Sequence, residues 1–372
     1  MTSSRMSAKS TCLFTRLFES KRIISPLFGT SNACNRFERR SFPSASWPCL
    51  GKLPVVHHEG FTCQWPEKHR FKMAKFIKVM DWIVRDNLLE SIRIFQPTEA
   101  PYEAVTQIHD CNYIDGFIHG NAPLHAMRKT GFHWSEGLVK RCFLEVGGTM
   151  LAAKLAMEYG LACSTGGGTH HAFPSHGSGF CMLNDLAVTA RDMIDSNLVS
   201  KVLIVDLDVH QGDGTAFIFK DNDSVFTFSM HCEKNFPLRK QQSDLDVGLD
   251  CGLNDEQYLN TVQDYLPWLL DSFRPDLILY DAGVDPHRDD ALGKLCLTDQ
   301  GLFDRDLAVI QMALSRGIPC ATVIGGGYDD DVSVLGRRHS IIHRAAIKVN
   351  DEKKTPSKIV FIGFRENTGR VR

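Results

Sequence analysis

Short, mostly apolar runs alternate along the chain with longer stretches in which apolar residues recur every three or four positions. The short runs are 161–165 (LACST), 202–205 (VLIV), 224–230 (SVFTFSM), 276–280 (DLILY) and 320–324 (CATVI). A strand with one wet face alternates polar and apolar residues. A strand covered on both faces does not, so these runs predict buried parallel strands. The helical spacing covers residues 76–89, 136–158, 183–194, 256–273 and 300–315. Strands alternating with helices imply a mostly parallel α/β sheet with helices on both faces. The body begins near Leu53. No internal repeat or glycine-serine linker divides it, so one domain is expected over 51–350, followed by a tail at 351–372 that offers a short strand at 358–362.

Each apolar run leads into a cluster of polar residues or glycines. Residues 166–171 read GGGTHH, His231 follows 224–230, 281–290 read DAGVDPHRDD, and 325–328 read GGGY. In open α/β sheets, ligands bind outside the carboxyl ends of the strands. The stretch after VLIV is DLDVHQGDG, residues 206–214. In extended chain, alternate side chains share a face, so Asp206, Asp208 and His210 are expected together. Imidazole and carboxylate suit Zn²⁺, and other divalent ions less selectively. The plainer reading is a helix start capped by two solvated aspartates.

Composition narrows the classes. The chain has 372 residues, 43% hydrophobic and 23% charged, as in ordinary soluble enzymes. A formal net charge of −2 supplies no general basic field for nucleic acid. No apolar run approaches the roughly 20 residues that span a bilayer. Twelve cysteines without a CxxC pair argue against a zinc ribbon or a thioredoxin-like site. The first fifty residues differ from the rest: eight Lys or Arg, ten Ser and only Glu19 and Glu38 as acids. That pattern predicts an organelle transit peptide for mitochondrion or chloroplast, with a basic tail on a nuclear or cytoplasmic protein as the alternative.

The body resembles the zinc-dependent histone deacetylases of the arginase/deacetylase fold, from about Pro54 to Ala346. The resemblance rests on GGGTHHA (166–172), GSGFCMLND (177–185), DLDVHQGDGT (206–215), DAGVDPHRDDALG (281–293) and GGGY (325–328), in that family's order; HRFKMAKF (69–76) resembles its class IV branch. The resemblance implies a single α/β domain with an eight-stranded, mainly parallel sheet and a site at its C-terminal edge. It implies one zinc on Asp208, His210 and Asp290, the last in preference to Asp285 or Asp289. It places a histidine pair at His170 and His171, with Asp206 and Asp213 behind them, and a catalytic tyrosine at Tyr328. Gly179, Phe180 and Phe236 fall on the acyl-lysine tunnel, although Phe180 alone reads equally as core packing. A structural potassium falls on Asp206, Asp208, His210, Ser229 and Met230. The implied activity is hydrolysis of acyl-lysine amides in histones or other proteins, without nucleic-acid binding. Acetylpolyamine and long-chain fatty-acyl-lysine hydrolysis share the fold. An arginase-like ureohydrolase needs a richer two-ion ligand set, and an inactive scaffold would lack a ligand, a dyad histidine or the tyrosine. His339 and His343, four apart, are expected on one helix face in ordinary packing.

Overall fold

All eight strands of the sheet run parallel, and each expected apolar run supplies one. The computed structural model describes Trp47 and residues 51–354. The leader expected over residues 1–50, Trp47 apart, and the strand expected at 358–362 lie outside the described residues. The strands are β1 Leu53–Val56, β2 Ile92–Phe95, β3 Leu161–Ser164, β4 Val202–Asp206, β5 Val225–Cys232, β6 Leu245–Leu249, β7 Leu277–Asp281 and β8 Cys320–Val323. Their order across the sheet is β2-β1-β3-β8-β7-β4-β5-β6. Sequence periodicity missed β1, β2 and β6. The edge strands β2 (IRIF) and β6 (LDVGL) are half exposed and interrupted by charge, and β1 (LPVV) carries a proline.

Alternation along each strand feeds two apolar layers. Leu203 and Val205 of β4 pack into one, with Ile278 and Tyr280 of β7. Val202 and Ile204 pack into the other, with Leu277 and Leu279. Helices Glu136–Tyr159, Asp185–Asp195, Asp255–Phe273 and Asp299–Ser315 stand where the three- and four-residue spacing predicted them. All four start at side-chain caps: Ser135 accepts from Leu138 N, Asn184 from Ala187 N, Asn254 from Gln257 N and Thr298 from Gly301 N. No helix among the described residues is long and apolar enough to cross a membrane. His339 and His343 do not share a helix: one helix ends at His339 and the next begins at Ile341. Both rings are fully buried.

Register sets up the site. Asp206 at the end of β4 pairs with Asp281 on β7 and with Ser229 on β5. Three polar side chains therefore stand side by side at the C-terminal edge.

His109 ties the layer beneath the site loops. Its Nδ1 donates to the Phe173 carbonyl at 3.0 Å, and its Nε2 accepts from Asn184 N at 2.9 Å. One donor and one acceptor fix the neutral tautomer, and burial lowers the ring to about 4. An unfolded histidine takes its proton near 6.5. The unfolded state thus binds more protons between these values, and stability falls as pH drops from about 6.5 towards 4. His109→Gln is expected to flatten that part of a melting-temperature profile; an unchanged slope would assign it to other groups.

Candidate active site

The chain leaves β3 through a glycine turn that delivers two histidines. At Gly168 φ is +88°, and a Cβ would lie 2.5 Å from Gly325 Cα of the loop after β8, so glycine alone lets the two loops pass. Buried Asp185 pins the turn. It accepts from Gly168 N at 3.0 Å, from Thr169 N at 2.7 Å and from the Thr149 hydroxyl at 2.6 Å. His170 and His171 follow, both nearly inaccessible, with ring centroids 4.1 Å apart.

Each ring is backed by its own carboxylate. His170 Nδ1 lies 2.7 Å from Asp206 Oδ2, and His171 Nδ1 lies 2.6 Å from Asp213 Oδ1. The electrostatics split the pair. Burial opposes charge on His170, but Asp206, Asp208 and Asp281 outweigh it and hold the ring well above the usual range. Burial and the His170 charge lower His171 to about 4, against Asp213. The two rings are thus driven in opposite directions.

Beyond β4 the chain turns, and the expected shared face of Asp206, Asp208 and His210 divides. Asp206 joins His170 and Asp281, while Asp208 and His210 converge with Asp285; within each trio the potential ligand atoms lie within 4.8 Å of one another. His210 Nδ1 is 3.0 Å from Asp208 Oδ1 and 3.0 Å from Asp285 Oδ2. Donors placed tetrahedrally at about 2.0 Å from an ion sit on the order of 3.3 Å apart, so this spacing fits a small divalent metal. Asp285 Oδ2 is buried and has no hydrogen-bond partner. Burial and the Asp208 charge push Asp285 up to about 7, with His210 resisting. A cation here would relieve that cost. Backbone N–H groups aim the carboxylates: Val209 N donates to Asp285 Oδ1 at 2.8 Å, and Gly326 N to Asp208 Oδ2 at 2.8 Å.

The resemblance put the third ligand at Asp290, which stands outside both trios but faces the charges of His210 and Asp285. Asp290 Oδ1 accepts from Leu292 N and Gly293 N, both at 2.8 Å, and Oδ2 from Tyr328 N at 2.7 Å. Three backbone amides orient its carboxylate, as backbone amides orient Asp208 and Asp285, and Oδ2, with a single N–H donor, keeps a lone pair for a metal. Asp290 clamps the loop after β7 to Tyr328, whose carbonyl accepts from Ala291 N at 2.9 Å. Asp285 and Asp290, five residues apart in DAGVDPHRDD, are thus the two carboxylates of this loop that compete for the third position.

Tyr328 stands with its ring centroid 6.2 Å from His210 and 5.8 Å from Phe180. Burial, then Asp285 and Asp208, hold its hydroxyl well above 10, so it stays a donor. Phe236 meets His171 edge-on at 4.9 Å. Gly179 lies between them: a Cβ there would come 2.5 Å from the His171 ring and 3.1 Å from Phe236. These residues line a mouth of about 380 Å³, and a smaller cavity of about 30 Å³ continues inward past His170 and Asp208 to Lys75, Arg141 and Glu145. Of the residues assigned to potassium, Ser229 lies beside Asp206 in register, and its hydroxyl is 3.0 Å from His231 Nδ1. Met230 is buried in the core.

Sequence reading missed Asp281 and a buried cation behind both ligand loops. Arg305, fully buried, donates to the carbonyls of Leu207 at 3.2 Å, Gly283 at 2.8 Å and Ala282 at 3.3 Å, and pairs with Asp306 at 2.8 Å. One guanidinium thus staples the ends of β4 and β7. Nothing in an amphipathic helix pattern marks an inward arginine. Arg305→Met is expected to cost about 3–5 kcal/mol, because Asp306 would stay buried without its partner. A urea unfolding midpoint measures this, and an unshifted midpoint would dismiss the staple.

A family model described as the histone deacetylase domain matches residues 69–341. The chain is 49% identical over 294 residues to an uncharacterized protein of Picosynechococcus sp., covering 79% of this chain and 98% of that one. It is 29% identical to histone deacetylase 2 of Arabidopsis thaliana, over 75% of each chain. It is 29% identical to the acetoin utilization protein AcuC of Staphylococcus aureus, over 70% of this chain and 72% of that one. Among solved structures, the HDA15 HD domain superposes with a TM-score of 0.67 at 22% identity, over 83% of this chain and 91% of that one, a likeness of fold. The chain belongs to the histone deacetylase domain family, within the arginase/deacetylase superfamily. Its buried histidine–aspartate groups fit the metal binding typical of that family.

Proposed function

We propose that this protein hydrolyses the amide of Nε-acyl-lysine with one zinc ion, held by Asp208, His210 and Asp285. The observation that carries the reading is the pairing of that donor trio with a histidine dyad, each ring backed by its own carboxylate, at the base of an aromatic-walled mouth. A bound zinc with three protein ligands supplies Lewis acidity towards the amide carbonyl and acidifies water.

The chain's own groups do the rest. His171 donates Nδ1–H to Asp213, which leaves Nε2 as the acceptor. It takes the proton of the attacking water and returns it to the departing lysine amine. His170, held by Asp206, which favours its protonated form, steadies the negative charge that develops. Tyr328 donates its hydroxyl hydrogen bond to the tetrahedral oxyanion. Phe180 and Phe236 hold the lysine methylenes and exclude bulk water. HRFKMAKF at 69–76 supports a class IV-like member, and the basic, serine-rich leader supports import into an organelle.

The test is a turnover screen of the purified chain with zinc, comparing acetyl-lysine peptides, long-acyl-lysine peptides and acetylpolyamines. Release of free lysine, abolished by a chelator and restored by zinc, is the expected result. Turnover of acetylpolyamines alone would replace the substrate class, and no turnover of any would remove the activity.

A further inference from the structure

The mouth of the site carries a charge pattern that its depth does not explain. Its lining contains Arg70, Arg128, Lys129 and Lys294, and no aspartate or glutamate. All four cations are exposed. Among the described residues none of them pairs with a carboxylate; the Lys294 ammonium touches the Lys234 carbonyl at 2.6 Å. They come from three separate segments: the loop before helix Lys75–Arg85, the end of helix Leu124–Thr130, and the loop after β7. The chain as a whole carries a formal −2, so the positive rim is local.

We infer that this rim selects acyl-lysine set among acidic residues, an inference that rests on the acyl-lysine reading of the site. The argument is electrostatic. Once the acyl-lysine side chain enters the mouth, its backbone and flanking residues must cross the rim. A lysine-rich segment meets four like charges there, and a polyamine brings more positive charge to the same place. A segment bearing glutamate or aspartate meets complementary charge at several points around the opening. Clefts lined by one sign of charge raise association rates of oppositely charged ligands by about 10–10³-fold, and salt erodes the gain. Lysine and arginine on three segments suit several separated carboxylates better than one compact anion, which favours an acidic polypeptide. Phe236, 43% exposed at the rim, and Leu238, 96% exposed, lie two residues apart in the loop after β5 and leave apolar surface for the peptide to cross.

The experiment uses the full chain loaded with zinc and two acyl-lysine peptides that differ only in their flanks, glutamates in one and arginines in the other. Both are assayed at low and high ionic strength, with acetyl and long-acyl forms of each. The expected result is a kcat/KM ratio of at least about 10 in favour of the acidic flank at low salt, collapsing towards one at high salt. In the double variant R128E/K294E, which sets two carboxylates against the remaining Arg70 and Lys129, the ratio is expected to fall towards one already at low salt. Because the ratio is taken within one preparation, a loss of folded protein cancels. A ratio near one, or a preference for arginine flanks, with measurable turnover would overturn the inference and leave the hydrolase reading standing. No turnover of any peptide would overturn the hydrolase reading and this inference with it.

Discussion

Asp285→Ala is expected to strip the chain of most of its divalent metal and to lower turnover by more than the about 10–100-fold that loss of a supporting partner costs. Asp285 Oδ2 is buried without a hydrogen-bond partner and lies 3.0 Å from His210 Nδ1. Removing the carboxylate leaves two donors where an ion needs three. Asp290→Asn is the matched control. Its side chain receives three backbone amides, and an amide group cannot accept them all. The variant is expected to keep its metal and to lose activity through a displaced Tyr328. Elemental analysis of the two proteins separates the cases. Full metal content in Asp285→Ala, with depletion in Asp290→Asn, would return the third ligand to Asp290.

His171→Ala is expected to reduce turnover by about 10²–10⁴-fold while metal content is unchanged, because a proton carrier is lost and no ligand is. Tyr328→Phe is expected to cost about 10²–10³-fold by removing one oxyanion donor. Asp213→Asn probes the same step differently. The carboxylate accepts Nδ1–H of His171 at 2.6 Å, whereas an amide NH₂ in its place favours the tautomer with the proton on Nε2, which cannot accept from water. Its turnover is therefore expected to fall with the ring intact. A near-normal rate in His171→Ala, with metal retained, would move the base to His170.

Residues whose role is written in local pattern were legible before the structure. The buried strands announce themselves because both faces are covered, and the GGGTHH and DLDVH turns follow strand ends where open sheets place ligands. The carboxylates behind His170 and His171 stand where the resemblance implied them. What stayed hidden depends on how loops turn. The divergence of Asp206 from Asp208 follows from β4 ending at Asp206. Arg305, Asp281 and the Arg141–Glu145 pair, 2.7 Å apart beneath the site, are charged residues buried within their elements, a placement that no apolar period betrays.

The position of β8 sets a schedule for folding. Cys320–Val323 is the last of the described strands to leave the ribosome, yet it lies in the middle of the sheet between β3 and β7. Until it inserts, β2-β1-β3 and β7-β4-β5-β6 are separate half-sheets with open inner edges, and His170 has no fixed place relative to Asp208 or Asp285. Pairings this distant in sequence close slowly, and open edges invite association with other chains in the interval. A nascent chain stalled before residue 320 is thus expected to hold most of its helices and no metal. Chaperone demand should peak just before β8 emerges.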